Sequence, residues 1–440
     1  MLRFIDRAQA LVAKPTLLTG ASVVDQCLFT GTNFLTAVMV GRLGSVDQLG
    51  LYTLIISLVM ITIASYRSVL ISPYVVLRNR LQEERQAIAR AALLAATGSM
   101  AAVILCVGFM FAMLVGDVTV LIAGVAVASG LARDFMRRLS IAELRPHIAM
   151  PIDAAIGLLQ LGGLLVAAYS GWFVITATNV LLYASIVWVV VGGLGICLQR
   201  RLFVAEPGSR WQALRDLWPN SRWIGLSHVL TTTQSFVVPW MLALWTSLET
   251  AGAYAACWML VQVVSPVVEG IGSLLGPLFS REVAHGNLRG LRRQIWIASR
   301  NYIGLMLMAV TAVALVGDEM LRLCFGHEYQ KYERILIVLV GASFFHTVGI
   351  PAGKALTQLD RAAWNFLITL VSLASLMPLT VWWLGADGVL GGARALAIVH
   401  FASSLSRWIL LRVRLQSWAV SSTADPNPAS DRFDALETSR

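Results

Sequence analysis

Apolar runs long enough to cross a bilayer recur along this chain, separated by short polar segments. Residues 91–115 and 172–198 hold no charged side chain. Each exceeds the roughly 20 residues that a helix rising 1.5 Å per residue needs to cross about 30 Å of hydrocarbon. The pattern predicts twelve helices, over residues 17–40, 50–77, 91–115, 118–138, 148–169, 172–198, 223–246, 252–280, 300–317, 335–353, 363–384 and 388–411. No run alternates with period two, so a β-barrel is not expected. The expected class is an all-α polytopic membrane protein.

One stretch is written twice. Ser45-Val46-Asp47-Gln48-Leu49-Gly50-Leu51-Tyr52 leads into an apolar helix interrupted by Arg67, and 202 residues later Ser247-Leu248-Glu249-Thr250-Ala251-Gly252-Ala253-Tyr254 leads into one interrupted by Glu269. Both copies then reach a proline, Pro73 and Pro277, and end on basic residues, Arg78 and Arg281. A repeat of this length signals a duplicated unit. With six spans per copy, both units sit the same way up, as two six-helix lobes related by an axis along the membrane normal. The expected boundaries are 1–198 for the first lobe, 199–222 for a cytoplasmic amphipathic linker, 223–414 for the second lobe and 415–440 for a disordered tail rich in Ser, Ala, Pro and Asp.

Composition agrees, with 57% hydrophobic and 13% charged residues in 440 and a mean hydropathy of +0.72. The net charge of +10 is not a nucleic-acid signature, because the basic residues cluster in the segments between spans. One side of the membrane collects 26 of the 34 Lys and Arg, whereas the other holds Arg42, Arg322, Lys331 and Arg334. That asymmetry places both termini in the cytoplasm. Cys27, Cys106, Cys197, Cys257 and Cys324 are unclustered, so neither a disulfide frame nor a metal site is expected. The basic start (Arg3, Arg7, Lys14) is followed by Asp25 and Gln26, which break any signal-peptide core and leave an uncleaved first span. No nucleotide loop, metalloprotease motif or nucleophile elbow is present, and no cofactor or enzymatic step is expected.

Ionisable groups inside spans are costly and are the first candidates for function. Arg67 and Glu269 fall near mid-membrane at matching depth, either lining a central cavity or pairing to pin the lobes together. The first and seventh spans carry polar stripes, namely Asp25, Gln26, Thr30, Thr32 and Asn33, then His228, Thr231, Thr232, Thr233, Gln234 and Ser235. These either line a watery cavity or bond within the helices. Asn33 and Gln234 are the cavity candidates of the stripes, with Arg42 and Arg394 towards the outer mouth. Asp25 and Glu269 are candidates for coupling to an ion. Asp153, His346 and His400 read as structural, and the run Arg133, Asp134, Arg137 and Arg138 as a topology determinant touching lipid phosphates.

Three segments carry a family resemblance. They are Val40-Gly41-Arg42-Leu43-Gly44 leading to Leu49-Gly50-Leu51-Tyr52, Leu323-Cys324-Phe325-Gly326-His327-Glu328-Tyr329, and Leu384-Gly385-Ala386-Asp387-Gly388-Val389-Leu390-Gly391-Gly392-Ala393. In their order the chain resembles the multidrug/oligosaccharidyl-lipid/polysaccharide exporter superfamily, and within it the polysaccharide flippases. The resemblance implies a V-shaped pair of bundles in a bacterial inner membrane. It implies alternating access that moves an undecaprenyl-diphosphate-linked oligosaccharide from the cytoplasmic to the outer leaflet. The energy must come from an ion gradient, with H+ or Na+ as the candidate coupling ion, from the membrane potential or the substrate's own gradient, or from a separate subunit. It also implies contact with membrane lipids and work alongside a glycan polymerase and export machinery. Arg67 would supply cavity charge for the diphosphate, while Glu269 departs from a basic cavity. The Gly-Arg-Leu-Gly turn also resembles the multidrug and toxin extrusion branch, whose cationic substrates would suit Asp25 and Glu269, while the Phe-Gly-x-x-Tyr turn of Phe325 to Tyr329 favours the polysaccharide branch. A non-transporting scaffold is the third reading.

Overall fold

The computed structural model describes residues 15–71, 74, 83–143, 146–171, 174–203, 222–359 and 361–424. The first lobe comprises α1 (Pro15–Leu43), α2 (Val46–Tyr66), α3 (Glu83–Val115), α4 (Val118–Ala142), α5 (Pro146–Ser170) and α6 (Ala177–Leu198). The second comprises α7 (Arg222–Trp245), α8 (Leu248–Gln262), α9 (Ser265–Ala284), α10 (Leu288–Phe325), α11 (Glu333–Gln358), α12 (Ala362–Asp387) and α13 (Val389–Ala424). Helices α8 and α9 are one span bent by 49° at a short break. The sequence explains the bend, because Pro266 at the start of α9 has no N–H to continue the ladder. Among the described residues, nine helices are long and apolar enough to cross a membrane, ten with the bent pair. The polar-striped α1 and α7 are not in that set. The arrangement is the expected twelve-span, two-lobe architecture.

The duplication is visible in the caps. Ser45 accepts from the Gln48 N–H at 3.3 Å and Ser247 from the Thr250 N–H at 3.2 Å, so each copy starts its helix with the same N-cap. The copies then diverge. The first continues past Tyr66 into a π-helical turn, Arg67–Ile71, while the second has already broken at residues 263–264. Turns of this kind interrupt helices most often where a side chain must be re-aimed for function.

Some boundaries differ from expectation. Helix α13 runs to Ala424, ten residues into the segment expected to be disordered. Helix α10 begins at Leu288 and ends at Phe325, with a kink at Val316, whose backbone leaves the helical region. The expected amphipathic linker falls largely on residues 204–221, and Pro73, Arg78 and residues 425–440 also lie outside the described residues.

The larger hydrophobic core joins the lobes, running from Leu49, Tyr52 and Ile56 of α2 to Ala253, Tyr254 and Cys257 of α8. A separate core of Leu275, Phe279, Leu291, Tyr302 and Leu356 fills the end of the second lobe where α9 meets α10. The lobes therefore share apolar packing towards the end where α2 and α8 begin. Large apolar side chains such as Met110, Leu114, Tyr169 and Leu198 stand exposed at the periphery, where lipid is the solvent.

Candidate functional site

Seven charged side chains from four helical segments converge in the half of the first lobe where α4 ends. Asp25 comes from α1, Arg67 from the π-turn after α2, Arg133, Asp134, Arg137 and Arg138 from α4, and Asp153 from α5. The spacing on α4 explains how one helix serves several partners. Positions 133 and 137, like 134 and 138, are one turn apart and share a face.

Arg137 is the hub. Its Nε and Nη2 donate to Asp25 Oδ2 at 2.9 and 2.7 Å, and Nη2 also donates to Gln26 Oε1 at 2.9 Å. Asp153 Oδ2 lies 2.7 Å from the same Nε, whose single hydrogen is aimed at Asp25. Asp153 also lies 3.7 Å from Arg133. The Phe29 ring stacks under both guanidinium groups, 4.6 Å from Arg133 and 4.4 Å from Arg137, and Trp188 covers Arg133 at 5.3 Å. Asp25, Arg137 and Asp153 are almost wholly buried.

Arg67 meets Asp134 at two points, Nε to Oδ2 at 2.8 Å and Nη2 to Oδ1. Asp134 also has Arg138 at 3.7 Å. Here the network reaches the space between the lobes, for the side chains of Arg67 and Arg138 are 21% and 28% exposed while Asp134 is 1% exposed. Four arginines face three aspartates, so the cluster carries one excess positive charge. Around it Asp25 Oδ1, Arg133 Nε and Arg137 Nη1 are buried with no hydrogen-bond partner among the described residues. A buried network left partly unsatisfied is sensitive to any change in ionisation.

The second lobe contributes exposed groups. His228 of α7 and Glu269 of α9 are exposed, and both lie within electrostatic reach of Arg67 and Arg138. Glu269 forms no ion pair among the described residues, and the partner of Arg67 is Asp134 of its own lobe. The basic run on α4, expected at lipid phosphates, instead turns inward with Arg133, Asp134 and Arg137 buried. Its signal in the sequence was the lone Asp134 inside the run, at an inner depth matched by Asp25 and Asp153.

The remaining candidates separate. Gln234 is buried with its Nε2 unpartnered, and Asn33 is half-buried on α1. Most hydroxyls of the stripes bond their own helix, as Thr32 does to the Leu28 carbonyl and Thr231 to that of Ser227. Arg42, at the end of α1, donates to the Leu323 carbonyl. Arg394 pairs with Asp387, both well exposed. His346 and His400 stack with centroids 4.8 Å apart inside the second lobe. Among the described residues no group of three or more His, Cys, Asp or Glu is placed to hold a metal.

No family model matches the sequence. The fold is similar to solved transporters. An inward-facing multidrug resistance MATE family transporter of the MOP superfamily superposes with a TM-score of 0.74 at 13% identity, covering 90% of this chain and 96% of that one. An outward-facing multidrug resistance MATE family transporter of the MOP superfamily gives 0.65 at 13% identity, covering 91% and 95%. A Vibrio cholerae MATE transporter, VcmN, gives 0.65 at 14% identity, covering 93% and 98%. These likenesses give the chain the MATE-type fold of that superfamily. In sequence, the probable low-salt glycan biosynthesis flippase Agl15 of Haloferax volcanii is 21% identical over 178 residues, which span 39% of this chain and 37% of that protein.

Proposed function

We propose that this protein is an alternating-access transporter that carries an anionic, lipid-diphosphate-linked oligosaccharide from the inner to the outer leaflet of a bacterial cytoplasmic membrane. The observation that carries the reading is the excess positive charge of the first-lobe cluster, presented to the inter-lobe space through Arg67 and Arg138. A diphosphate loses its hydration when its carrier crosses, and only fixed cationic donors replace that hydration. The sequence likeness to a glycan flippase supports the same substrate class. No bond is made or broken, so the proposed role is not enzymatic. A polymerase and export machinery would act on the product.

The drive, on this reading, is H+ or Na+ acting at Asp25, the carboxylate that Arg137 shares with Asp153. A second reading, extrusion of organic cations, is favoured by the exposed and unpaired Glu269 and by the multidrug transporters that share the fold. Glycan export and dye efflux, measured in cells lacking the gene and supplied with each variant, separate them. Arg67→Ala is expected to abolish glycan export at normal expression, with Arg67→Lys a partial loss because the two-point fork is gone. Normal glycan export with Arg67→Ala would overturn the first reading, and loss of dye efflux on Glu269→Gln would establish the second.

A further inference from the structure

The two copies of the duplicated stretch touch each other at equivalent atoms. A Cβ built on Gly50 would overlap the Leu248 carbonyl oxygen and lie 3.1 Å from the Gly252 nitrogen. One built on Gly252 would overlap the Val46 carbonyl oxygen and lie 3.0 Å from the Gly50 nitrogen. The offset of 202 maps Gly50 onto Gly252 and Val46 onto Leu248. The contact is thus the point where the pseudo-two-fold axis runs between the lobes, and it is made of backbone alone. Hydrogens on Cα in such crossings bond weakly to facing carbonyls, and any side chain larger than hydrogen pushes the helices apart.

The same outer level is closed by neighbouring contacts. Tyr329 donates to the Gly41 carbonyl at 3.3 Å, Arg42 donates to the Leu323 carbonyl, and Phe325 packs so close that a Cβ on Gly41 would lie 2.8 Å from its ring. One turn and more below, Trp240 of the second lobe donates to Ser57 of the first at 2.7 Å. Farther inward the groups facing across the lobes, Arg67, His228 and Glu269, are half-buried or exposed. The seam is therefore tight outside and open inside.

We propose that the Gly50–Gly252 crossing is the outer gate of the transport path, with the two glycines as positioning residues that let the lobes seal. The inference rests on the transport reading only in requiring that the lobes move. A bulkier residue at either glycine meets fixed backbone, with no flexible side chain to yield, so the inner-open state loses its closed seam and the outer-open state is favoured.

The test uses the full chain with its five cysteines replaced by alanine, reconstituted in lipid nanodiscs without substrate. Nitroxide labels are placed at the exposed, equivalent positions Asp47→Cys and Glu249→Cys, and their separation is measured by pulsed electron resonance. Gly50→Val or Gly252→Val should lengthen the dominant distance by about 5 Å or more, on the scale of one helical turn. Gly31→Ala, where a Cβ meets nothing within 4 Å, should leave it unchanged. Unaltered distances in both valine variants would overturn the gate. If neither assembles, Gly50→Ala and Gly252→Ala decide, since a single methyl already overlaps the facing carbonyl, and an unaltered distance in both would overturn the gate. Because no substrate is present, a protein that moves neither glycan nor dye still passes or fails this test by itself.

Discussion

Asp134 of α4 grips Arg67 of the π-turn after α2 at two points, with the carboxylate buried and the guanidinium at the edge of the inter-lobe space. The pair ties the π-turn to the first lobe and holds the cation where it faces Glu269 without bonding to it.

Removing either partner strands a charge. Asp134→Ala is expected to cost about 2–3 kcal/mol, below the ~3–5 of a fully buried pair because Arg67 reaches solvent. In a double-mutant cycle Arg67→Ala and Asp134→Ala should couple strongly, whereas Arg67→Ala and Glu269→Ala should add. Unfolding in mixed micelles reads both cycles.

Arg137 separates two carboxylates that would otherwise face each other in the lobe interior. Arg137→Ala should cost about 3–5 kcal/mol and yield little monodisperse protein. Adding Asp153→Asn to the same chain should restore much of the yield, because a neutral amide bonds the remaining carboxylate. Size-exclusion profiles of the single and double variants give the answer.

The surface pair Arg394–Asp387 serves as the contrast. Both side chains are in contact with solvent, so Asp387→Ala should change stability by about 0–1 kcal/mol. Arg394→Ala should leave transport at its original rate, and a transport assay with a melting curve checks both.

Topology follows from the basic-residue asymmetry. A membrane-impermeant thiol reagent applied outside intact cells should label Ser170→Cys and Glu249→Cys and spare Arg289→Cys, which labels only after permeabilisation.

The architecture was legible because hydropathy and the repeat survive without any knowledge of contacts. The bent α8–α9 pair stayed one apolar stretch in the sequence, and Pro266 within it was the mark of the bend. The site was less legible. Arg67 and Asp25 stand out as charges in apolar helices, but their partners do not. Arg133, Asp134 and Arg137 lie near a helix end, where sequence alone equates basic residues with the membrane surface, and only the ion pairs with Asp25 of α1, Arg67 after α2 and Asp153 of α5 show that they turn inward. Nor does depth alone select a partner, since Glu269 matches Arg67 in depth while Asp134 lies in the same lobe.

The capped helix starts repeat from one half of the chain to the other, but the ionic cluster does not. Offset by 202, Asp25 falls on Ser227 and Arg67 on Glu269. In the second lobe the buried Arg407 has neutral hydrogen-bonding partners, Asn365 and Thr369. Duplication has preserved the capped frame, and divergence has left the buried ionic cluster in the first half. On the proposed reading, a proton or cation arriving at that cluster would act on one half directly, and the other half would receive the signal as displacement through the apolar seam.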